Sequence, residues 1–264
     1  MPQLSYPNRE QVLIVGAPRS GNTYLARLMG ELLDSPVTGV YNAVPLAQEG
    51  LERTGPYVVR QLHLRPLIIE DAQIALHAGY KFALNRWTTE RVIHILRDPR
   101  DVAISAYHYW KRPSVLSTIH SMIDGALPFG GIGPWTAFVD RWEKVYLSEQ
   151  TEHKIVWTSY EHLINYPNAE LDRILYKLSL PSHVPASIDD ALANQSLATK
   201  RAQIQRDGDS RPYGKAIQLT HLRKGIVGDW RNHFDAECKR VAHAAWQTHL
   251  LYYDYENDSS WITQ

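Results

Sequence analysis

An apolar run that leads straight into a glycine-bounded loop constrains the fold of this chain more than any other feature. The run extends from Gln11 to Thr23 and reads QVLIVGAPRSGNT. Its apolar half predicts a strand that stops at Gly16, and the residues after the loop predict a helix that begins at Asn22. A strand, a tight loop and a helix start aim several backbone N–H groups at one point, where the helix dipole also favours negative charge. The run therefore predicts a binding site for an anionic ligand.

The loop lacks the lysine of nucleotide triphosphatases. In those proteins the second glycine of the loop is followed by a lysine that reaches the outer phosphates and by a hydroxyl that holds magnesium. Here Asn22 stands at the position of the lysine, and the positive charge lies inside the loop, on Arg19. We therefore expect an anion site that does not support transfer of a γ-phosphate.

Composition narrows the classes of function. The chain has 264 residues, enough for one large α/β domain, which we expect to span residues 1–264. Lys plus Arg and Asp plus Glu are equal at 28 each, so no overall field attracts nucleic acid or an anionic membrane. Cys238 is the single cysteine, which excludes an intramolecular disulfide, and no apolar run approaches the roughly 20 residues that span a bilayer. Because the N-terminus is polar and lacks a signal-peptide core, we expect a cytoplasmic protein.

Short apolar runs alternate with longer helical patterns along the chain. This alternation predicts a P-loop-type α/β fold with three layers, α/β/α, around a central, mainly parallel sheet. The expected strands are Gln11–Val15, Tyr57–Leu62, Arg91–Leu96 and Lys154–Thr158. The expected helices are Asn22–Leu33, Pro99–Trp110, Trp135–Ser148, Pro167–Leu178 and Ala236–Tyr252. The segment Lys200–Leu222 is polar, contains Gly208, Pro212 and Gly214, and shows no sustained period, so we expect a long mobile loop that acts as a lid.

Two later runs are rich in basic side chains. The first, Val92–Trp110, reads VIHILRDPRDVAISAYHYW. It predicts a strand that ends at Arg97 and a helix that is capped by Asp98, and Ser105 lies eight residues beyond the arginine. Alone, this pattern also fits a structural corner with a capping aspartate and paired surface charges. The second run, His221–Trp230, reads HLRKGIVGDW and places two adjacent cations before a glycine that allows close approach of the backbone to a ligand.

The three runs together resemble the sulfotransferase family that uses 3'-phosphoadenosine 5'-phosphosulfate (PAPS). The resemblance rests on Pro18–Thr23, on Arg97 with Ser105, and on Arg223–Gly225 followed by Gly228–Trp230, and it extends from Gln11 to Phe234. It implies that the 5'-phosphosulfate of the donor is bound by Arg19, Ser20, Gly21, Asn22, Thr23 and Tyr24. It implies that the 3'-phosphate is bound by Arg97, Ser105, Arg223, Lys224 and Gly225. A position that packs on the adenine matches Tyr160, and a further donor-binding pair matches Ser196 and Leu197.

The resemblance also implies in-line transfer of a sulfonyl group to a hydroxyl or amine of a small-molecule acceptor. The other product is then adenosine 3',5'-bisphosphate (PAP). A transferring sulfonyl group carries less negative charge than a γ-phosphoryl group, so we expect the leaving phosphate to be stabilised without a metal ion. On this interpretation Arg19 and Thr23 neutralise the charge that develops on the bridging oxygen.

The acceptor must lose a proton, which calls for a base with a pKa near neutrality. His63 directly follows the strand Tyr57–Leu62, as the family's catalytic histidine follows its second core strand, and is our candidate. His77 is the alternative. It stays open because Gln61 stands where the family has a lysine, two residues before that histidine, and because the stretch from His63 to Arg97 is long.

Two other classes of function remain open on the sequence. A P-loop kinase of small molecules predicts a lysine at Asn22, which is absent. A non-catalytic nucleotide-binding protein would keep the loop and lose the base. The segment Arg231–Glu237 does not match the family's usual dimer segment, so the oligomeric state stays open, as does the identity of the acceptor.

Overall fold

A six-stranded sheet in the order β3-β2-β4-β1-β5-β6 forms the centre of the protein. The computed structural model describes residues 9–41, 44–63, 91–126, 132–147, 154–181, 186–207, 219 and 222–263. The strands are β1 (Glu10–Val15), β2 (Val37–Tyr41), β3 (Val44–Glu49), β4 (Tyr57–Leu62), β5 (Arg91–Leu96) and β6 (Lys154–Ser159). Five strands run parallel, and β3 pairs antiparallel with β2 at one edge. This confirms the mainly parallel sheet.

Nine α-helices surround the sheet in the described part of the chain. They are α1 (Asn22–Leu32), α2 (Pro99–Tyr109), α3 (Val115–Asp124), α4 (Trp135–Leu147), α5 (Tyr160–Asn165), α6 (Pro167–Lys177), α7 (Ile188–Asn194), α8 (Leu197–Asp207) and α9 (Ala236–Tyr252). Short 3₁₀ helices cover Asp229–Asn232 and Ser260–Ile262. Every strand and helix expected from the sequence is present, with bounds that differ by no more than one residue. None of the helices in the described residues is long and apolar enough to cross a membrane.

Strand β1 shows how the three layers are held together. Alternate side chains of a strand point to opposite faces of its sheet. Leu13 and Val15 join one buried cluster with residues of α2, α3, α4 and α9, whereas Val12 and Ile14 join a second cluster with residues of α1, α6 and α7. Each of these four strand residues is at most 2% exposed, as expected for a parallel strand that is covered on both faces. The three-layer α/β/α fold is therefore confirmed.

Helix α8 occupies the first part of the segment for which the sequence predicts a lid loop. The loop prediction over 200–222 is wrong for residues 200–207, which belong to this helix. The helix forms because Ser196 caps it, with Oγ accepting the Thr199 N–H at 3.2 Å, and because two of its side chains are buried. Lys200 is buried where its ammonium contacts Glu49 at 2.5 Å, and Ile204 is 1% exposed. Residues 208–218 and 220–221 lie outside the described residues, so a lid stays a prediction.

The carboxyl ends of three neighbouring strands determine where the site lies. Val15 at the end of β1 pairs with Leu62 of β4 on one side and with His94 of β5 on the other. The loop that follows β1, the residue His63 after β4 and the residue Arg97 after β5 therefore emerge at the same edge of the sheet. Ligands of open α/β sheets bind at this edge, outside the carboxyl ends of the strands.

Candidate active site

The loop between β1 and α1 turns through two residues in the left-handed backbone region. Arg19 has a φ of 73°, and Gly21, which precedes the first helical residue, has a φ of 95°. The Ser20 N–H donates to the carbonyl oxygen of Ala17 at 3.2 Å, and Nδ2 of Asn22 donates to the same oxygen at 2.9 Å. The Asn22 side chain therefore fixes the shape of the loop from within. The hydroxyl of Ser20 is buried and has no hydrogen-bond partner among the described residues, which fits a group reserved for a ligand.

Arg19 is held against helix α2. Its Nε donates to Oγ of Ser105 at 3.1 Å, and its guanidinium carbon lies 4.1 Å from the centre of the Tyr109 ring. Both partners lie on one face of α2 because they are four residues apart. The motifs assigned Arg19 to the 5'-phosphosulfate and Ser105 to the 3'-phosphate, and the structure brings these two side chains into direct contact. Tyr109 is a contact of Arg19 that was not predicted from the sequence.

Arg97 joins the loop to a segment far along the chain. Its guanidinium donates to the carbonyl oxygens of Arg19 at 3.1 Å and of Ile226 at 3.3 Å. The carboxylate of Asp101 lies 3.8 Å away, and the guanidinium carbon lies 4.1 Å above the Tyr160 ring. The side chain is only 8% exposed, so it is a positive charge fixed in position at the edge of the sheet. Arg97 therefore lies beside the loop, and its assignment to the 3'-phosphate stays a prediction.

Arg223 and Lys224 share one buried carboxylate, that of Asp229. The ion pairs measure 2.6 Å from Arg223 and 2.9 Å from Lys224, and Asp229 is 1% exposed. Burial by itself would raise the pKa of Asp229, but hydrogen bonds from Lys224 and Arg223 outweigh burial and hold the pKa well below its usual range. Both cations are therefore positioned by this aspartate. From the sequence Asp229 was recognised only as part of the Gly-Asp-Trp run and was given no role, since its burial could not be read there.

A second buried carboxylate attaches this basic segment to α2. Asp101 accepts hydrogen bonds from the backbone N–H of Gly228 at 2.7 Å and from that of Trp230 at 2.9 Å. Burial raises the pKa of Asp101, whereas the charge of Arg97 lowers it. Arg201 of α8 holds the same segment from the other side, with Nε donating to the carbonyl oxygen of Leu222 at 3.0 Å. The sequence does not indicate the roles of Asp101 and Arg201, because each of them binds backbone atoms that are distant along the chain.

Tyr160 packs between the loop and the basic segment. A methyl group at Gly21 would lie 2.5 Å from Cδ2 of Tyr160, and one at Gly225 would lie 2.8 Å from Cδ1 of Leu197 and 3.6 Å from the Tyr160 hydroxyl. These glycines therefore let the two segments approach the same ring. Tyr24 also lies close, and its pKa is raised by burial and by the Tyr160 hydroxyl. The contact of Tyr160 with an adenine stays a prediction, because the ring is 6% exposed and is covered by Arg97.

His63 is linked to the loop by a chain of hydrogen bonds. Its Nδ1 lies 2.9 Å from the carbonyl oxygen of Gly16, and its Nε2 lies 3.3 Å from Nε2 of Gln61. Oε1 of Gln61 in turn accepts from the hydroxyl of Thr23 at 2.9 Å. Burial lowers the pKa of His63 and so does the charge of Arg19, while the hydrogen bond to Gly16 opposes both. His63 is therefore neutral at pH 7, as a base must be, and His77 lies outside the described residues.

The charged side chains that the structure describes at this edge are arranged to receive an anion. The described ranges contain no group of three or more His, Cys, Asp or Glu side chains placed to hold a metal. The charged groups that meet here are mainly cations and the two carboxylates that position them. An arrangement of this kind suits an organic anion with more than one phosphate or sulfate group.

Comparisons with known proteins agree with the sequence motifs. The sequence profile of the sulfotransferase domain matches residues 9–253. The 3-alpha-hydroxysteroid sulfotransferase of Cavia porcellus is 25% identical over 232 residues, which cover 85% of this chain and 78% of that protein. Sulfotransferase 2B1 of Mus musculus is 28% identical over 249 residues, covering 85% of this chain and 67% of that protein.

Solved structures agree on the fold. The crystal structure of mouse sulfotransferase SULT7A1 complexed with PAP has a TM-score of 0.65 at 18% identity and covers 91% of this chain and 84% of its own. The crystal structure of retinol dehydratase with androsterone and PAP has a TM-score of 0.58 at 16% identity, covering 91% of this chain and 80% of its own. Because the sulfotransferase profile covers nearly the whole described chain, the family predicted from the motifs is confirmed. This chain is a sulfotransferase and belongs to the family defined by the sulfotransferase domain.

Proposed function

We propose that this protein transfers a sulfonyl group from PAPS to a hydroxyl or amine of a small-molecule acceptor in the cytoplasm. The observation that carries the proposal is the convergence of the β1–α1 loop, Arg97 and the Arg223–Lys224 pair at one edge of the sheet. PAPS has two anionic ends, and a site with basic groups on two separate segments suits such a donor. The PAP complex of the structurally similar mouse sulfotransferase supports the same donor.

In the proposed reaction the acceptor oxygen or nitrogen attacks the sulfur in line with the bridging oxygen. The proton of the acceptor passes to Nε2 of His63, whose Nδ1 hydrogen bond to Gly16 leaves Nε2 as the basic nitrogen. The new bond to sulfur forms as the bond from sulfur to the bridging oxygen breaks, and the electron pair stays on the 5'-phosphate of PAP. Arg19, Thr23 and the loop N–H groups stabilise that phosphate as its charge grows.

The donor-site residues proposed from the motifs keep their roles here. The 5' end is assigned to Arg19, Ser20, Gly21, Asn22, Thr23 and Tyr24, and the 3' end to Arg97, Ser105, Arg223, Lys224 and Gly225. Relatives point to the acceptor classes to test first, since one is named for a 3-hydroxysteroid and a structural neighbour contains androsterone. The acceptors to be tested are therefore a 3-hydroxysteroid, a simple phenol and a primary amine.

Calorimetry tests the donor. We expect PAP to bind without magnesium, about 100-fold more tightly than ATP with magnesium, a difference of about 2.7 kcal/mol in binding free energy. The opposite preference would favour a kinase and would overturn the donor assignment.

Transfer assays with radiolabelled PAPS test the chemistry. Replacing Arg19 by Ala is expected to lower kcat by about 10²–10³. Replacing the base is expected to lower kcat by about 10²–10⁴, so His63→Asn and His77→Asn are compared singly and together. The matched control is Arg240→Ala, which removes an exposed arginine of α9 that pairs with Glu237. Unchanged transfer in both histidine variants would show that neither is the base.

A further inference from the structure

Arg201 of α8 binds the backbone of the basic segment at two successive carbonyl groups. Its Nε donates to the carbonyl oxygen of Leu222 at 3.0 Å. Its Nη2 donates to the same oxygen at 2.5 Å and also to the carbonyl oxygen of Arg223. A role for these contacts in donor binding exists only if the protein binds PAPS, so the inference rests on the proposed function.

The two carbonyl groups belong to the peptide groups on either side of the Arg223 Cα atom. Each peptide group is planar, so the backbone at this residue turns only about the two bonds that join the planes to Cα. A guanidinium that binds both oxygens therefore restrains both torsions. The other end of the Arg223 side chain is held by the carboxylate of Asp229 at 2.6 Å. Arg223 is thus restrained at its backbone by Arg201 and at its guanidinium by Asp229.

Helix α8 is attached to the sheet and can therefore support such a restraint. The ammonium of Lys200 lies 2.5 Å from Glu49 of β3, and the same carboxylate accepts a hydrogen bond from Nε2 of Gln195 at 2.7 Å. Burial by itself would raise the pKa of Glu49, but the charges of Arg27 and Lys200 hold it below its ordinary value, so the carboxylate is ionised at neutral pH. Arg201 thus extends from a helix that is fixed to the edge of the sheet.

A second side chain on the same face of α8 reaches the basic segment. Leu197 lies four residues before Arg201, and residues at this spacing share one face of a helix. A methyl group at Gly225 would lie 2.8 Å from Cδ1 of Leu197, so helix and segment are in close contact there. The face that Leu197 and Arg201 form therefore contacts the segment both before and after its two cations.

We propose that Arg201 is a positioning residue that orders Arg223 for the 3'-phosphate of the donor. Arg201 binds only the backbone, and Arg223 meets the phosphate. Without Arg201 the guanidinium of Arg223 keeps its charge, but its backbone has more freedom, and ordering it on binding costs conformational entropy. Affinity for a nucleotide with a 3'-phosphate then falls, whereas affinity for one without this group stays the same.

The first test compares the binding of PAP and of adenosine 5'-monophosphate, which lacks the 3'-phosphate, by calorimetry. Arg201→Met keeps a long side chain and a good helix former but removes the guanidinium. We expect it to raise Kd for PAP about tenfold, the contribution of one hydrogen bond, and to leave Kd for the monophosphate within about twofold. The matched control is Arg240→Met, which removes an exposed arginine of α9 and should change neither value.

Two results of this comparison would contradict the proposal. An unchanged Kd for PAP in Arg201→Met would overturn it and leave the proposed function intact. Equal losses of affinity for both nucleotides would show that Arg201 supports the fold in general, and would overturn it too. Failure of PAP to bind the unaltered protein would instead overturn the proposed function, and this inference with it.

The variant Arg201→Lys separates positioning from the effect of charge. Lysine keeps the positive charge but lacks the planar fork that spans two carbonyl oxygens. We expect Kd for PAP to rise at least about threefold in this variant. Full affinity would mean that the charge alone acts, and would refute the positioning role.

A double variant separates positioning from direct contact with the phosphate. If Arg201 acts through Arg223, then Arg201→Met should raise Kd for PAP less than about threefold in a chain that already carries Arg223→Met. A full tenfold effect in that chain would mean that Arg201 acts independently of Arg223, and the proposal would be wrong.

Discussion

Glu161 makes the stability of this protein sensitive to pH, and replacing it by glutamine should remove that sensitivity. The residue lies in α5, beside the site, and its Oε1 accepts the backbone N–H of Asp98 at 3.1 Å. Its Oε2 is buried and has no hydrogen-bond partner within the described ranges. Burial raises the pKa of Glu161 to about 7, the negative charge of Asp98 adds to this effect, and the hydrogen bond from Asp98 opposes it.

The size of the effect follows from the difference between folded and unfolded pKa values. The carboxyl of Glu161 has a pKa of 4.5 in the unfolded state and of about 7 in the folded state. Over this range of about 2.5 pH units the folded state keeps a proton that the unfolded state has already lost. At about 1.4 kcal/mol per unit this amounts to about 3 kcal/mol of unfolding free energy. Because the folded state binds more protons, stability decreases as pH rises from 4.5 to about 7 and is level above that. A glutamine is neutral at every pH, so the variant Glu161→Gln does not lose this unfolding free energy as pH rises.

Chemical denaturation of both proteins at several pH values between 5 and 8 measures this difference. We expect Glu161→Gln to gain on the unaltered protein steadily as pH rises, reaching about 3 kcal/mol at pH 8. Glu52→Gln, a change of an exposed glutamate, should stay within about 0.5 kcal/mol throughout. If the curves for Glu161→Gln and the unaltered protein run parallel from pH 5 to 8, the carboxyl is charged over that range and the reasoning is wrong.

Two further predictions concern residues around the same sheet. Gly21→Ala should destabilise by about 2–4 kcal/mol, since the new methyl meets the rigid Tyr160 ring at a left-handed residue, whereas Gly225→Ala should cost about 1–2 kcal/mol because Leu197 can turn aside. If thermal unfolding shows the same loss of stability in both variants, that order is wrong. His94 is buried among aromatic rings, and burial lowers its pKa to about 3, so the unfolded state takes up its proton first and stability decreases below pH 6.5. Between pH 7 and pH 5 the unaltered protein should lose about 2 kcal/mol more than His94→Leu, and an identical loss in both would refute this.

The sequence predicted four strands because each is a short apolar run, and the structure places those runs at the centre or on the far side of the sheet. It did not predict β2 or β3. Gly39 lies in β2 and Pro45 in β3, and both residue types are uncommon inside strands. Strand β3 forms the edge of the sheet, where Pro is tolerated because a backbone donor is not needed on both sides, and β2 is its neighbour.

The site was predicted as a set of cations, and its anions were not. The motifs identified Arg223 and Lys224, which precede Gly225, and Arg97, which follows a central strand. Asp101 and Asp229 were given no role, since an aspartate is ordinarily a solvated side chain. Their importance depends on burial and on partners such as the Gly228 N–H, which is 127 residues away from Asp101. Such pairings arise only from the tertiary fold.

The bridging hydrogen bonds of Arg97 also bear on how the protein folds. They connect it to Arg19, 78 residues earlier, and to Ile226, 129 residues later. Contacts of such long sequence separation form slowly, because a large loop of chain must be ordered before they are made. During synthesis, the segment around Ile226 emerges from the ribosome after the whole sheet, so the nascent chain completes the proposed donor site only after the sheet. Donor affinity is thus a measure of complete folding, and a fragment that ends before this segment would carry the loop without the site.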